Sequence, residues 1–178
     1  MKQYRRVFAA LDGGSTQQEV AERAIQIAKL NHAELMFGHV VDSVPDSLTG
    51  TDYKELAETV RNRLVDSLGD TLKSAEEDPD IPSVEVVVKV GRIQETIHNL
   101  MIKPFEPELV ICGERGLSNI TYVFVGSVST YLIRNLRCDV LVVKQDESVA
   151  LIYDQRNMLL RRDDAARDSG GTGKFQSP

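Results

Sequence analysis

The chain has 178 residues, of which 42% are hydrophobic and 27% charged, ordinary proportions for one globular domain with room for a sizeable core. Its net charge of −6 disfavours a nucleic-acid backbone or an anionic membrane surface as the main partner, because both call for clustered Lys and Arg. Met1–Arg6 is basic, but only the short apolar run Val7–Leu11 follows it, and no later run reaches spanning length, so we expect a soluble, cytoplasmic protein without membrane insertion.

The first predicted strand is Val7–Leu11, followed by Asp12-Gly13-Gly14 and a helical stretch from Ser15 to Leu30 with Val20, Ala21, Ala24, Ile27 and Ala28 on one face. A second strand spans Leu35–Val41. A second helix runs from Thr49 to Ser74, with Leu56, Val60, Leu64, Leu68 and Leu72 spaced by four. Glu76–Pro82 is polar and Pro-containing and reads as a surface loop. The third strand is Val84–Val90, and the third helix, Arg92–Met101, carries Ile93, Ile97, Leu100 and Met101. Pro104 and Pro107 are expected to end it. Leu109–Cys112 is the fourth strand, Gly126–Leu136 the fourth helix with Val128, Leu132 and Leu136, and Val140–Val143 the fifth strand.

Most of these strands are continuously apolar, which suits a parallel sheet covered on both faces, and strand-helix alternation implies right-handed crossovers. The domain is expected over residues 1–145. In the 146–178 extension, Ile152, Leu159 and Leu160 have roughly helical spacing, which predicts a short amphipathic helix, and the Gly- and Ser-rich Ser169–Pro178 reads as a disordered tail. Cys112 and Cys138 are too few for a disulfide framework and lack zinc-ligand spacing, so they read as reduced thiols in or beside the core.

The densest chemical signal joins the fourth strand to the fourth helix: Gly113-Glu114-Arg115-Gly116, nine further residues, then Gly126-Ser127-Val128-Ser129. Ligands of open parallel sheets lie beyond the carboxyl ends of strands, and the first turn of a helix offers unpaired N–H groups and a positive dipole end to phosphate. Glycine admits close backbone approach, Ser127 and Ser129 bring hydroxyls, and Arg115 brings charge. The bland alternative is a strand-to-helix turn capped by Ser127.

Gly113, Gly116, Gly126 and Ser127 match every fixed position of the G-2x-G-9x-G-[S/T] signature, and the segment resembles the ATP-binding branch of the universal stress protein family. Val7–Leu11 with Asp12-Gly13, Gly38–Val41, and Gly126 through Val143 are similar to further parts of that family, so the resemblance covers roughly residues 3–145. It implies a Rossmann-like, adenine nucleotide alpha hydrolase-like fold: an open five-stranded parallel sheet in the order 3-2-1-4-5 with helices on both faces. It implies a nucleotide site formed by Ala10, Asp12, Val40, Gly113, Arg115, Gly116, Gly126, Ser127, Val128 and Ser129, taking ATP, ADP or AMP, with any Mg carried mainly on the phosphates. The resemblance further implies a homodimer through the last strand, whose apolar edge at Val140–Val143 would favour pairing with a second chain.

The resulting expectation is a stress-response or regulatory module that holds an adenine nucleotide and signals through a dimer or an unidentified protein partner. The alternatives are a slow ATPase or phosphoryl-transfer enzyme, with Asp12 and Asp42 as candidate bases, and a nucleotide-free interaction protein. Leu117–Val125, between the second and third glycines, is more apolar and aromatic than a mobile phosphate flap. Gly170–Lys174 is no phosphate loop: Asp168 stands where the first glycine belongs and Phe175 where Ser or Thr is needed. His39 lies near the crevice and reads as a satisfied edge or core histidine, and no Ser-His-Asp or metal-ligand spacing appears.

Overall fold

The computed structural model describes residues 3–42, 52–114, 126–144, 151–154 and 157–161. Five parallel strands occupy the centre: β1 (Arg6–Leu11), β2 (Glu34–Asp42), β3 (Val84–Gly91), β4 (Leu109–Gly113) and β5 (Asp139–Val143). Their order across the sheet is β3-β2-β1-β4-β5, as expected. Because side chains alternate along each strand, β1 sends Val7, Ala9 and Leu11 to one face and Phe8 to the other.

The first face is covered by α1 (Gln17–Asn31) and α2 (Tyr53–Glu76). Val20, Ala21, Ala24 and Ala28 of α1 pack there, joined by Leu64, Leu68, Leu72 and Ala75 of α2. The small α1 residues let the helix sit close to the sheet. The second face is covered by α3 (Ile93–Ile97), a π-helical turn (His98–Ile102), α4 (Lys103–Phe105) and α5 (Ser127–Asn135), which contribute Ile97, Met101, Ile102 and Leu132. Gly38 of β2 lies on this side because a Cβ there would run into the fully buried ring of Phe8 and come within 3.0 Å of Met101 Sδ.

Three expectations require correction. The second helix is not one rod: Gly69 sits at φ 46°, ψ −122° and breaks α2 between Leu68 and Leu72, while both stay buried. Glycine tolerates that conformation, and Leu at four-residue intervals persists on either side of the break. Pro104 does not end the third helix. Helical backbone continues to Phe105 because a π turn precedes the proline, with Lys103 N–H donating to the His98 carbonyl five residues back. The widened turn accommodates a ring that would press on the carbonyl four residues earlier in a regular helix. Glu106, in left-handed backbone, then ends the run before Pro107.

The third correction concerns the C-terminal extension. Its apolar stretch forms strands instead of a helix: β6 (Leu151–Asp154) pairs antiparallel with β5, and β7 (Asn157–Arg161) pairs antiparallel with β6. The β5 edge expected to pair with a second chain is thus already hydrogen-bonded to β6 of the same chain, in the register Val140↔Tyr153, Leu141↔Ile152 and Val142↔Leu151. An unpaired apolar strand edge captures a β-competent segment that lies close in sequence. Ser169–Pro178 lies outside the described residues. Among the described residues, no helix is long and apolar enough to cross a membrane.

Candidate functional site

The chain leaves β1 and turns away on one side, then returns through β4 on the other, so the β1–β4 boundary is where strand order reverses. Crevices at such a boundary open beyond the carboxyl ends of the strands. The ladder between β1 and β2 stops at Leu11↔His39, and that between β1 and β4 at Ala10↔Cys112. Val40, Val41 and Asp42 therefore run on past the end of β1, and β4 continues to Gly113 beyond its last β1 partner.

A cavity of about 320 Å³ fills this space. Of the ten residues implied by the sequence, Ala10, Asp12, Val40, Gly113, Gly126, Ser127, Val128 and Ser129 line it. Arg115 and Gly116 lie outside the described residues, as does Leu117–Val125. The wall also includes Ile93, Ile97 and Cys112, which the sequence presents only as helix-face or core residues, together with His39 and Asp42. Helical periodicity assigns Ile93 and Ile97 to a buried face; it cannot say that the face continues past the sheet edge into a cavity.

Three polar side chains of the wall, those of Asp12, His39 and Ser129, have structural tasks. Asp12 does not cap α1: its Oδ1 accepts the Gly14 N–H at 2.8 Å and shapes the β1–α1 turn, while the side chain stays exposed. Thr16 occupies the N-cap of α1 without a capping hydrogen bond from its side chain. His39 Nδ1 lies 2.8 Å from the Leu11 carbonyl oxygen, which can only accept, so Nδ1 carries the proton and pins the end of β1 to β2. Ser129 is buried and its hydroxyl donates to the Gly113 carbonyl at 3.0 Å, tying the first turn of α5 to the end of β4. Ser127 is exposed on the cavity wall at the start of α5.

The two described motif glycines differ in character. Gly113 reaches the cavity through its backbone, while the side where a Cβ would stand is filled by Thr16 Oγ1, Thr16 Cβ at 3.3 Å and Val20 Cγ2 at 3.4 Å. Its first role is to let α1 lie against β4. Gly126, the N-cap of α5, sits at φ −57°, ψ 163°, a backbone conformation open to any residue.

Electrostatically the described wall carries two carboxylates, Asp12 and Asp42, and no Lys or Arg. Two helix N-termini, those of α1 and α5, border the strand ends and supply positive dipole ends. Burial pushes the Cys112 thiol up to about 11, opposed by its hydrogen bond with Ser129 and reinforced by the nearby Asp12 charge. It is a neutral, apolar part of the wall.

A parallel sheet covered by helices on both faces, with a cavity over its strand-order reversal and a helix N-terminus in the cavity wall, defines an open α/β domain of the doubly wound class. The chain belongs to the universal stress protein family, whose sequence model matches residues 3–144. A universal stress protein of Synechocystis sp. is 31% identical over 152 residues, covering 79% of this chain and 98% of the relative. A putative universal stress protein of Staphylococcus saprophyticus is 29% identical over 147 residues, covering 83% and 87%. Among solved structures, the universal stress protein UspA from Lactobacillus plantarum shares the fold with a TM-score of 0.63 at 22% identity, covering 80% of this chain and 99% of that one. A universal stress protein crystallised in complex with cAMP has a TM-score of 0.59 at 23% identity, covering 82% and 100%.

Proposed function

We propose that this chain is a stress-response module that holds an adenine nucleotide in the cavity at the β1–β4 boundary. The observation that carries the reading is the convergence, on one cavity of about 320 Å³, of residues from the ends of three strands and from the first turn of α5. The base lies against the apolar surface of Ala10, Val40, Ile93, Ile97, Cys112 and Val128. Backbone of β2 beyond His39, which β1 no longer covers, is available to the edge of the ring. The phosphates lie toward Gly126 and Ser127, where the first N–H groups of α5 have no partner within the helix. Gly126 needs no glycine for its backbone angles, which favours a role in close ligand approach. Arg115 and Gly116 complete the loop in this reading.

Asp12 and Asp42 repel a naked polyphosphate, so a triphosphate enters as its magnesium complex or with its charge directed to α5. Among the described residues, no group of three or more His, Cys, Asp or Glu side chains gathers to hold a metal, so the ion would travel on the phosphates and water. The complex of a universal stress protein with cAMP supports an adenine ring as the recognised element. We read the site as one for holding a nucleotide, with Arg115 as the cation nearest the phosphates in this reading.

The test is to purify the protein natively, denature it, and identify released nucleotides by mass spectrometry, with thermal shifts on adding ATP, AMP and cAMP alongside. We expect released adenine nucleotide or a rise in melting temperature. A protein that releases none, and melts identically at millimolar ATP, AMP and cAMP, refutes the reading.

A further inference from the structure

We infer that Arg92, which lies outside the glycine motif, is a specificity-determining residue that receives the terminal phosphate of a nucleoside polyphosphate; the inference rests on the nucleotide reading of the cavity. A second recess of about 390 Å³ adjoins that cavity. The two share Asp42, Ile93, Ser127 and Val128, and the recess adds Arg92, Gln94 and Glu95. Three parts of the fold frame it: the end of β2, the turn from β3 into α3, and the first turn of α5. Gln94 Nε2 donates to the Ser127 carbonyl at 3.4 Å and ties the start of α3 to the start of α5. A phosphate held at the N-terminus of α5 therefore borders the recess at Ser127.

Charge decides which group meets the far end of the phosphate chain. The described cavity wall carries Asp12 and Asp42 and no Lys or Arg, whereas the recess sets Arg92 beside Asp42 and Glu95. A guanidinium there offsets the repulsion from Asp42 and grips two phosphate oxygens at once. The backbone of Arg92 is fixed, because its carbonyl accepts the N–H of the buried Thr96 at 2.9 Å. Its side chain is 73% exposed and meets Glu95 at 3.7 Å, a loose surface pair of small worth. A terminal phosphate carries about two negative charges at neutral pH against one on Glu95, so it draws Arg92 away from that partner. AMP and cAMP carry one phosphate each and lack the group that reaches past Ser127 to Arg92. Arg115 belongs to the loop between β4 and α5; Arg92 approaches from the β3–α3 turn and adds a preference for the longer phosphate chain.

The test is calorimetric titration of the nucleotide-free full chain with ATP and with AMP, as wild type, Arg92→Gln, Glu95→Gln and the double variant. The wild type should bind ATP more tightly than AMP. Arg92→Gln should cut the ATP-over-AMP affinity ratio about tenfold, the loss of one charge-assisted contact. Glu95→Gln, which releases Arg92, should raise the ratio about two- to fivefold, and that gain should vanish in the double variant. Both substituted side chains are exposed, so the fold should survive, and melting curves check it. A ratio that Arg92→Gln leaves unchanged overturns the proposal, as does a wild type that binds ATP and AMP equally; the nucleotide reading of the cavity survives either result. A Glu95→Gln gain that persists without Arg92 overturns the exchange between the two side chains. A wild type that binds neither nucleotide overturns the cavity reading and the proposal with it.

Discussion

Replacing Gly113 by alanine separates packing from ligand contact at the first motif glycine. The added Cβ points away from the cavity, toward α1, where Thr16 Oγ1 already stands too close, Thr16 Cβ lies at 3.3 Å and Val20 Cγ2 at 3.4 Å. Thr16 and Val20 are 2% and 1% exposed, and β-branched side chains on a helix have little rotamer freedom with which to yield. Overpacking of a filled site costs about 1–3 kcal/mol. Taking about 2 kcal/mol and about 2–4 °C per kcal/mol for a chain of this size, the melting temperature should fall by about 4–8 °C. Because Thr16 makes no capping hydrogen bond through its side chain, Thr16→Ala frees the space at modest cost. In the double variant the clash disappears, so the two changes should be non-additive by about 1 kcal/mol or more. Circular dichroism melts of the four proteins supply the cycle, and nucleotide titrations of the same samples supply affinity. Affinity should change far less than stability. A Gly113→Ala protein that melts like the wild type but no longer binds nucleotide would show that the glycine serves the ligand and that the packing argument is wrong.

Three further outcomes follow from individual contacts. Asp52 caps α2, accepting from Lys54 N–H at 2.8 Å and Glu55 N–H at 3.4 Å, so Asp52→Ala should lower the unfolding free energy by about 1 kcal/mol in urea melts; an unchanged midpoint would mean the first turn of α2 adds nothing to stability. At Glu108, burial works to raise the carboxyl pKa, but hydrogen bonds from the backbone N–H groups of Arg6 and Arg5, then the Arg5 guanidinium, outweigh it and hold the group below its ordinary 4.5. A value depressed in the fold means stability that is present above pH 4.5 and lost as pH falls through the folded value, so Glu108→Gln should cost about 1–2 kcal/mol at pH 7 and flatten the acid limb of stability against pH; parallel limbs would exclude Glu108 as a contributor. The Cys112 thiol, raised to about 11 by burial, should resist alkylation at pH 8 while the half-buried Cys138 reacts first, as peptide mass mapping will show; equal rates would contradict a closed, apolar wall at the cavity floor.

Much of the architecture is legible in the sequence because Val- and Ile-rich runs separated by helical spacing admit few arrangements other than a covered parallel sheet. The gathering of the candidate site residues on one cavity is legible for a different reason: Ala10, Asp12, Val40 and Gly126–Ser129 fall at strand ends and at a helix start, and topology then brings those ends together. What escaped depends on tertiary context. Ile93 and Ile97 look the same in sequence whether they meet a strand or a cavity. The π turn before Pro104 and the break at Gly69 leave the apolar spacing intact. In the C-terminal extension, Ile152 and Leu159–Leu160 lie seven to eight residues apart, which fits two turns of helix as well as two strands joined by a tight connection. The open edge of β5 settled that choice, and periodicity has no access to it. Gly113 shows the converse: the motif singles it out for close approach to phosphate, and the structure gives it a packing task beside its place in the cavity wall.

The central claim, that the cavity at the β1–β4 boundary holds an adenine nucleotide, is tested most directly by calorimetric titration of nucleotide-free protein with ATP, in parallel with a Gly126→Val variant. One site per chain with a dissociation constant below the millimolar range, lost in the variant while its melting curve stays cooperative, is the predicted result. Absence of binding heat from ATP, AMP and cAMP at millimolar concentration, or binding that Gly126→Val leaves unchanged, would contradict it.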